Sequence, residues 1–529
     1  MPVTTSGAAG GDLVAAMLEP AAYAHPVDEV TLLETHISWV FLAGDFAYKV
    51  KKPIQLSFLD FSTLEKRRHW CAEELRLNGR WAPELYLDVV PITADAGRIR
   101  VAGEGEPREY AVKMLRFPQT ALLNEQLAAG ELSESDVLEI AAMVAARHAD
   151  APVNREHRFG GVEAVMKPIR ENFDYVRSAL EDDTLKTLEQ WTEREIVRLD
   201  EVLEERRKAG FVRDCHGDLH LRNLVRLESG IVAFDCIEFS EELRMLDVIS
   251  DLSFLTMDLA VNGRTDLANR LLNRYLECTG DYAGMATYRL YYVYHCMIRA
   301  KVYAIRADEC DGERVRAEAL MEMQHYIGPA CAEVADRQPA IVVMHGLSGT
   351  GKTRVSGALA ASLNAIRIRS DVERKRMHGI AERGSSDSTP GGGLYAAGKS
   401  QRTYARLREL ARSILDSGYT VLLDAAFLSA AERDAVRQLA QAHDSRFLCV
   451  SVEAPRETLE QRLRDRRAAG ADASEADIAV LEHQYRTQDS LSEAERAHAI
   501  VWDSTGPAPI DTLAVEVASR LERSRSNPE

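Results

Sequence analysis

The chain has 529 residues, of which 46% are hydrophobic and 28% charged, and its formal net charge is -18. That length exceeds one ordinary core and implies several domains. The acidic balance argues against a general nucleic-acid or anionic-membrane binder, while leaving room for a local basic phosphate cleft.

The opening MPVTTSGAAGGDL lacks a basic stretch followed by an apolar run, and no segment reaches the roughly 18 apolar residues of a membrane span. A soluble, cytoplasmic protein is expected, with flexible ends at 1–11 and 523–529. The eight cysteines are scattered without a C-x-x-C pair or zinc spacing, as for buried thiols in a reducing compartment. From Glu29 to Pro53 the pattern predicts a hairpin turning at Ala43, Gly44 and Asp45. A helix is predicted from Thr63 to Arg80 with Ser62 as N-cap. Strands follow at LYLDVVPI and Tyr110–Leu115, then mostly helical periodicity from Ala121 to Gly210.

Asp214 to Phe239 reads as loop, strand, turn and strand, and it carries His216-Gly-Asp218-Leu-His-Leu-Arg-Asn223 and later Phe234-Asp235. Protein kinases place a catalytic Asp five residues before a Mg²⁺-binding Asn, with a second metal-binding Asp on the next hairpin. On that spacing Asp218 would orient and deprotonate an acceptor hydroxyl, and Asn223 and Asp235 would hold the metal. Gly217 stands where kinases have Arg, and no A-P-E segment follows. H-G-D-x-x-x-x-N resembles the aminoglycoside phosphotransferase branch of the kinase fold. Lys49 and Lys51 share one face of FAYKVKK; the resemblance of YKV to that family's strand favours Lys49 as the phosphate lysine, with Lys51 a close rival. Glu74 is its expected ion-pair partner and Glu73 the fallback. Lys113 in AVKML belongs to the strand entering the hinge. The kinase glycine loop is missing before Lys49. Asp247 and Asp251, with Arg244 a turn earlier, are expected to brace the catalytic loop, and Arg299 and Lys301 to lie on a surface face, with lining of an acceptor pocket as the alternative.

Helices are expected from Leu243 to Ile327, and the pattern changes near 331–339. Beyond it AIVVMHG, AIRIR, YTVLLD, FLCVSVE and HAIVWD recur as short strands between helices, the signature of a parallel doubly wound sheet. Gly346-Leu-Ser348-Gly349-Thr350-Gly351-Lys352-Thr353 fits G-x-x-x-x-G-K-[ST] between the first strand and a helix. Its backbone N–H groups would cradle phosphates, Lys352 would reach the β- and γ-phosphates, and the Thr353 hydroxyl would ligate Mg²⁺. Asp371 and Asp424 close the next two strands, where open α/β sheets bind ligands; one would serve metal or water and the other accept a proton, with helix capping as the alternative. Arg462 and Arg466 share a helix face and would close over the transferring phosphate or lie solvated. A mobile substrate loop is guessed for GSSDSTPGGG at 384–393.

GLSGTGKT, IRSDVERKR, VLLDAAF and RRAAGADASEAD resemble the small P-loop kinases related to gluconate, chloramphenicol and polynucleotide 5′-hydroxyl kinases. That resemblance implies that Asp371 is base and substrate ligand and that Arg374 helps hold substrate. No N-K-x-D guanine signature occurs in this half.

From about Asp12 to Leu521 the chain resembles bifunctional proteins joining an aminoglycoside-phosphotransferase-like domain to a P-loop kinase domain. The resemblance implies an α+β protein-kinase-like bilobal domain at 12–330 (small lobe about 28–118, helical lobe about 119–330), then an α/β P-loop NTPase domain at 340–522. The expected function is ATP- and Mg²⁺-dependent transfer of a phosphoryl group to small hydroxyl acceptors at both sites, without nucleic-acid or membrane partners. The alternatives are that one domain is a non-catalytic ATP-binding or ATPase regulator, or that the P-loop domain is a nucleic-acid 5′-hydroxyl kinase.

Overall fold

The computed structural model describes residues 9–56, 59–95, 98–180, 183–310, 312–382, 397–469 and 476–523. The chain forms two compact units, 1–168 with 203–258, and 169–202 with 259–529. The pattern change near 331–339 does not separate them, because the helices of 259–334 group with the P-loop sheet.

The first unit begins with α1 (Ala9–Met17), β1 (Val30–Glu34), β2 (Ser38–Ala43), β3 (Phe46–Lys51), a short hairpin of β4 (Gln55–Leu56) and β5 (Leu59–Asp60), and α2 (Leu64–Trp81). β6 (Tyr86–Asp95), β7 (Arg98–Val101) and β8 (Pro107–Leu115) complete an antiparallel sheet of order β1-β2-β3-β8-β6-β7. The expected single hairpin is therefore a three-strand meander: Thr35 interrupts the first apolar run, its backbone N–H and Oγ1 both donating to Ser38 O. The period of two gives the sheet two apolar faces. Phe41, Tyr48, Val50 and Ile92 pack with Met17 and Tyr23, while Ala47, Val112 and Met114 pack with Cys71 and Leu75 of α2. Lys49 and Lys51 share the face of Ala47, so alternation alone delivers them to α2. Thr63, rather than Ser62, caps α2, accepting from Lys66 N at 3.3 Å, because Ser62 is turned to Asp60.

Next come α3 (Leu123–Ala128), α4 (Glu134–Asp150), α5 (Val162–Ala179), α6 (Asp183–Lys208), β9 (Val212–Asp214), the hairpin of β10 (Leu224–Leu227) and β11 (Gly230–Ala233), β12 (Met245–Asp247) and α7 (Val248–Val261). Helix does not resume at Leu243 as expected: residues 245–247 pair antiparallel with β9. α5 runs from the first unit into the second, and α6 starts in the second unit and ends in the first.

That unit holds α8 (Thr265–Thr279), α9 (Met285–Glu309) and α10 (Glu313–Val334), then β13 (Ala340–His345), α11 (Lys352–Leu363), β14 (Ile366–Arg369), α12 (Ser370–Arg376), α13 (Ala397–Asp416) and β15 (Val421–Asp424). It ends with α14 (Ala430–Ala442), β16 (Arg446–Glu453), α15 (Arg456–Ala469), α16 (Ile478–Thr487), α17 (Glu493–His498), β17 (Ile500–Asp503) and α18 (Ile510–Arg523). The sheet is all parallel, of order β14-β15-β13-β16-β17. Its central strand β13 is buried throughout, as a near-continuous apolar run requires. No helix among the described residues is long and apolar enough to cross a membrane.

Candidate active sites

In the first unit the catalytic-type loop follows β9. Gly217 has φ +83°, and a Cβ there would lie 2.6 Å from Leu243 O; only glycine fits, so the kinase arginine has no room. Asp251 of α7 accepts from His216 N at 3.1 Å and Gly217 N at 2.9 Å, and its Oδ2 lies 3.0 Å from His148 Nε2. One helical turn pair further along, Asp258 accepts from Leu221 N at 2.9 Å. Buried His216 donates from Nε2 to Phe234 O at 3.0 Å and accepts at Nδ1 from Asp218 N at 3.3 Å, which fixes its tautomer. Burial lowers its pKa and keeps it neutral.

Asn223 Nδ2 donates to Asp218 O and Oδ2, both at 2.9 Å. Burial works against the Asp218 charge, but His220, 3.3 Å away, with His216 and Asn223 lowers its pKa to about 2. The Asp218 side chain keeps 39% of its surface exposed, so an acceptor can reach it. Asp235, 43% exposed, sits at φ +61° after the hairpin, with its N–H donating to Tyr86 Oη at 3.0 Å. Lys49 is ion-paired with Asp235 and lies 2.8 Å from Glu74. Lys51, with no exposed side-chain surface, takes the other Glu74 oxygen at 2.6 Å and also pairs with Glu238. Burial opposes both lysine charges, and the facing carboxylates hold both ammonium groups above their ordinary range. Lys49 thus faces the metal-type carboxylate, while Lys51 is enclosed by two glutamates. Glu73 is turned away to Arg76 at 2.6 Å. Lys113 lies over the Phe46 ring at 3.9 Å.

The expected braces act as follows. Asp251 holds the loop itself. Asp247 is gripped by Arg206 at 2.6 and 2.9 Å, and Arg244 joins Asp214 at 2.7 Å to the carbonyls of Ile237 and Glu238 at 3.2 Å. Sequence reasoning missed Glu238, Tyr86 and Asp258. The seven-residue step from Asp251 to Asp258 marks one helix face and was legible; Glu238 and Tyr86 gave no local signal. His148, Cys215 and Asp251 also lie close enough to hold a metal, but both Asp251 oxygens already accept hydrogen bonds within the brace.

In the second unit β13 runs into Gly346, Gly349 and Gly351, with φ of +138°, +87° and +94°. A Cβ at Gly346 would lie 2.4 Å from Val452 O, so the turn needs glycine. Lys352 opens α11 and donates to Gly346 O at 2.8 Å and Leu347 O at 2.7 Å. Burial lowers its pKa to about 8; Asp424 and Asp371 oppose that fall and Arg466 adds to it. A cleft of about 530 Å³ is lined by Lys352, Thr353, Asp371, Arg374, Asp424 and Arg466, with Ser348, Gly349, Gly351 and Arg462 on the same wall. Asp371 lies 2.6 Å from Arg374, in the first turn of α12. Asp424 ends β15 and accepts from Ser356 Oγ at 2.9 Å. Arg462 donates to Gly349 O, Thr350 O and Ser504 Oγ at 3.3, 3.2 and 2.9 Å, and Arg466 to Ala476 O at 2.7 Å. Thr350 Oγ1 donates back to Leu347 O at 2.9 Å, which tightens the loop. Gln484 of α16, which the sequence did not mark, accepts from Ser348 N at 2.8 Å. The segment 384–393 and residues 1–8 and 524–529 of the two ends expected to be flexible lie outside the described residues, while 9–11 and Arg523 are helical.

Both donor sets suit Mg²⁺, a hard ion that takes oxygen ligands. In the first site the exposed Asp235 carboxylate and Asn223 Oδ1, the amide oxygen left when Nδ2 is committed to Asp218, would hold it. In the second, Thr353 Oγ1 and Asp424 would do so.

A family model described as an AAA domain matches residues 341–491. An uncharacterized protein of Mycobacterium tuberculosis is 29% identical over 465 residues, 86% of this chain and 91% of its own. Among solved structures, a choline/ethanolamine kinase family protein from Mesorhizobium loti is 15% identical, covering 61% of this chain and 98% of its own, with a TM-score of 0.38. A gluconokinase from Sinorhizobium meliloti is 20% identical, covering 36% and 94%, with a TM-score of 0.25. The family match thus falls on the second unit, over the segment from 341 to 491 that carries the glycine-rich turn and Lys352.

Proposed function

We propose that the chain is an ATP- and Mg²⁺-dependent phosphotransferase with two nucleotide sites, each moving the γ-phosphoryl group to a hydroxyl of a small molecule. The observation that carries this reading is the pairing of an accessible Asp218 carboxylate with Asn223 and a nearby Asp235–Lys49 pair. A regulator that only binds ATP has no need of a carboxylate held ionised and open to an acceptor. At a pKa near 2, Asp218 is a weak base. It would orient the hydroxyl as a hydrogen-bond acceptor and take its proton late, once the new oxygen–phosphorus bond has acidified that oxygen and the bond to ADP is breaking. Bound Mg²⁺ would neutralise charge developing on the phosphate oxygens.

In the P-loop cleft Asp371 takes the corresponding role, Arg374 holds the acceptor, Lys352 and the loop N–H groups hold the phosphates, and Arg462 and Arg466 close the nucleotide side. The net charge of -18 favours small acceptors over a nucleic-acid strand.

The test uses γ-labelled ATP, a metabolite pool, and the variants Asp218→Ala and Lys352→Ala. Each variant is expected to abolish a different labelled product. Labelled free phosphate as the sole product would overturn the transfer reading in favour of an ATPase or regulator, and a labelled oligonucleotide end would overturn the small-acceptor reading of the second site.

A further inference from the structure

Helix α8 carries Asn269, Asn273 and Glu277 at i, i+4 and i+8, a polar stripe on one face. All three are buried, and asparagine is a poor helix former, so the stripe needs a reason beyond local propensity. Buried polar groups must find partners, and each of these finds one in the P-loop fold of the same unit. Asn269 Nδ2 donates to Ala361 O at 3.1 Å. Asn273 Nδ2 donates to Ala365 O at 3.0 Å, and its Oδ1 accepts from Arg367 N at 2.6 Å. Asn273 thereby pairs with the open edge of β14 as a neighbouring strand would.

Glu277, 2% exposed, goes further. Its carboxylate accepts from Arg367 at 2.5 and 3.1 Å and lies 3.8 Å from Arg369. Its carbonyl accepts from Arg376. Gly280, at φ +74°, leaves room for that arginine, since a Cβ there would lie 2.7 Å from Arg376 Nε. Arg367 and Arg369 precede Asp371 and Arg374, and Arg376 follows them, so one residue grips both sides of the turn that carries the acceptor groups. Arg369 itself lines the cleft, 4.0 Å from Asp424. Burial works against the Glu277 charge, but Arg367 and Arg369 hold its pKa below the usual range.

We propose that α8 is a wall of the P-loop site and that Glu277 is the positioning residue that sets Arg369 and the Asp371 turn against the bound nucleotide. The proposal rests on reading the cleft as a phosphoryl-transfer site. A salt bridge serving stability alone would affect every property of the fold together, whereas a positioning group acts on turnover through Arg369.

The test uses the full chain and defines P-loop turnover as the label released from γ-labelled ATP, to a pool product or to free phosphate, that Lys352→Ala removes. Glu277→Gln is expected to lower this turnover by about tenfold or more, as small misplacements of reacting groups do, while Mg-ATP affinity changes by no more than about twofold. Arg369→Gln should give a similar loss, the double variant should be no worse than either single one, and Glu277→Asp should restore part of the turnover. If Glu277→Gln does not fold, Glu277→Asp combined with Arg369→Gln carries the same comparison. Additive losses, or Mg-ATP affinity falling in step with turnover, would overturn the positioning role alone. A wild-type protein with no turnover attributable to Lys352 would overturn the transfer reading and this inference with it.

Discussion

Asn223 Nδ2 reaches both the carbonyl and the carboxylate of Asp218, each at 2.9 Å. One amide therefore closes the catalytic-type loop and helps keep its acid ionised, while its oxygen remains for a metal. Asn223→Ala should reduce first-site transfer by about a hundredfold or more, the scale seen when a preorganised donor is lost. In the proposed reaction Asp218 acts when ionised, so its contribution disappears as pH falls through its pKa. With that pKa near 2, the wild-type rate should show no acid limb above pH 4 from this group. His220 and His216 lower that pKa more than Asn223 does, so losing the Asn223 donor should move it up only slightly and leave the pH–rate profile of the labelled product without an acid limb above pH 4.

Lys49 and Lys51 share Glu74 but differ in what else they touch. Lys49→Met should weaken first-site Mg-ATP binding and leave a folded protein, measured by calorimetry and thermal melting. Lys51→Met strands Glu238 in the interior and leaves Glu74 with Lys49 alone, and breaking such a buried pair typically costs about 3–5 kcal/mol. The loss should appear as a lower denaturant midpoint for the first unit.

Lys352 has a pKa of about 8 in the nucleotide-free site. Phosphates favour the ammonium form, so the bound-state pKa must be higher. Between the two values nucleotide binding takes up a proton, and affinity should fall by up to about tenfold per pH unit above pH 8. Calorimetry in buffers of different ionisation enthalpy should show uptake approaching one proton, absent from Lys352→Ala.

Gly217→Ala places a side chain in the left-handed region, at about 1–2 kcal/mol, and against Leu243 O at 2.6 Å. First-site transfer should be lost, with P-loop turnover retained, because the displaced segment carries His216 and Asp218.

Much of both candidate sites was legible because their motifs are local. Asp218, Asn223 and Asp235 lie within one loop and hairpin, and Gly346 to Thr353 within one turn, so spacing alone brings their groups together. The alternation of β3 likewise put Lys49 and Lys51 on one face. The first hairpin was misread because Thr35 is a strand-compatible residue that here turns the chain through its own side-chain bond. Leu243–Asp247 was misread because β12 is defined by pairing with the distant β9.

What the letters determined were groups whose chemistry depends on neighbours a few residues away: the phosphate loop, the loop acid with its amide, and the order of strands and helices. Which lysine faces Asp235, why Glu238 encloses the other, and how Glu277 comes to hold Arg367 and Arg376 were decided only by the fold. Those pairs are separated by about a hundred residues or more, and burial gives each charge its partner only after the intervening chain has packed.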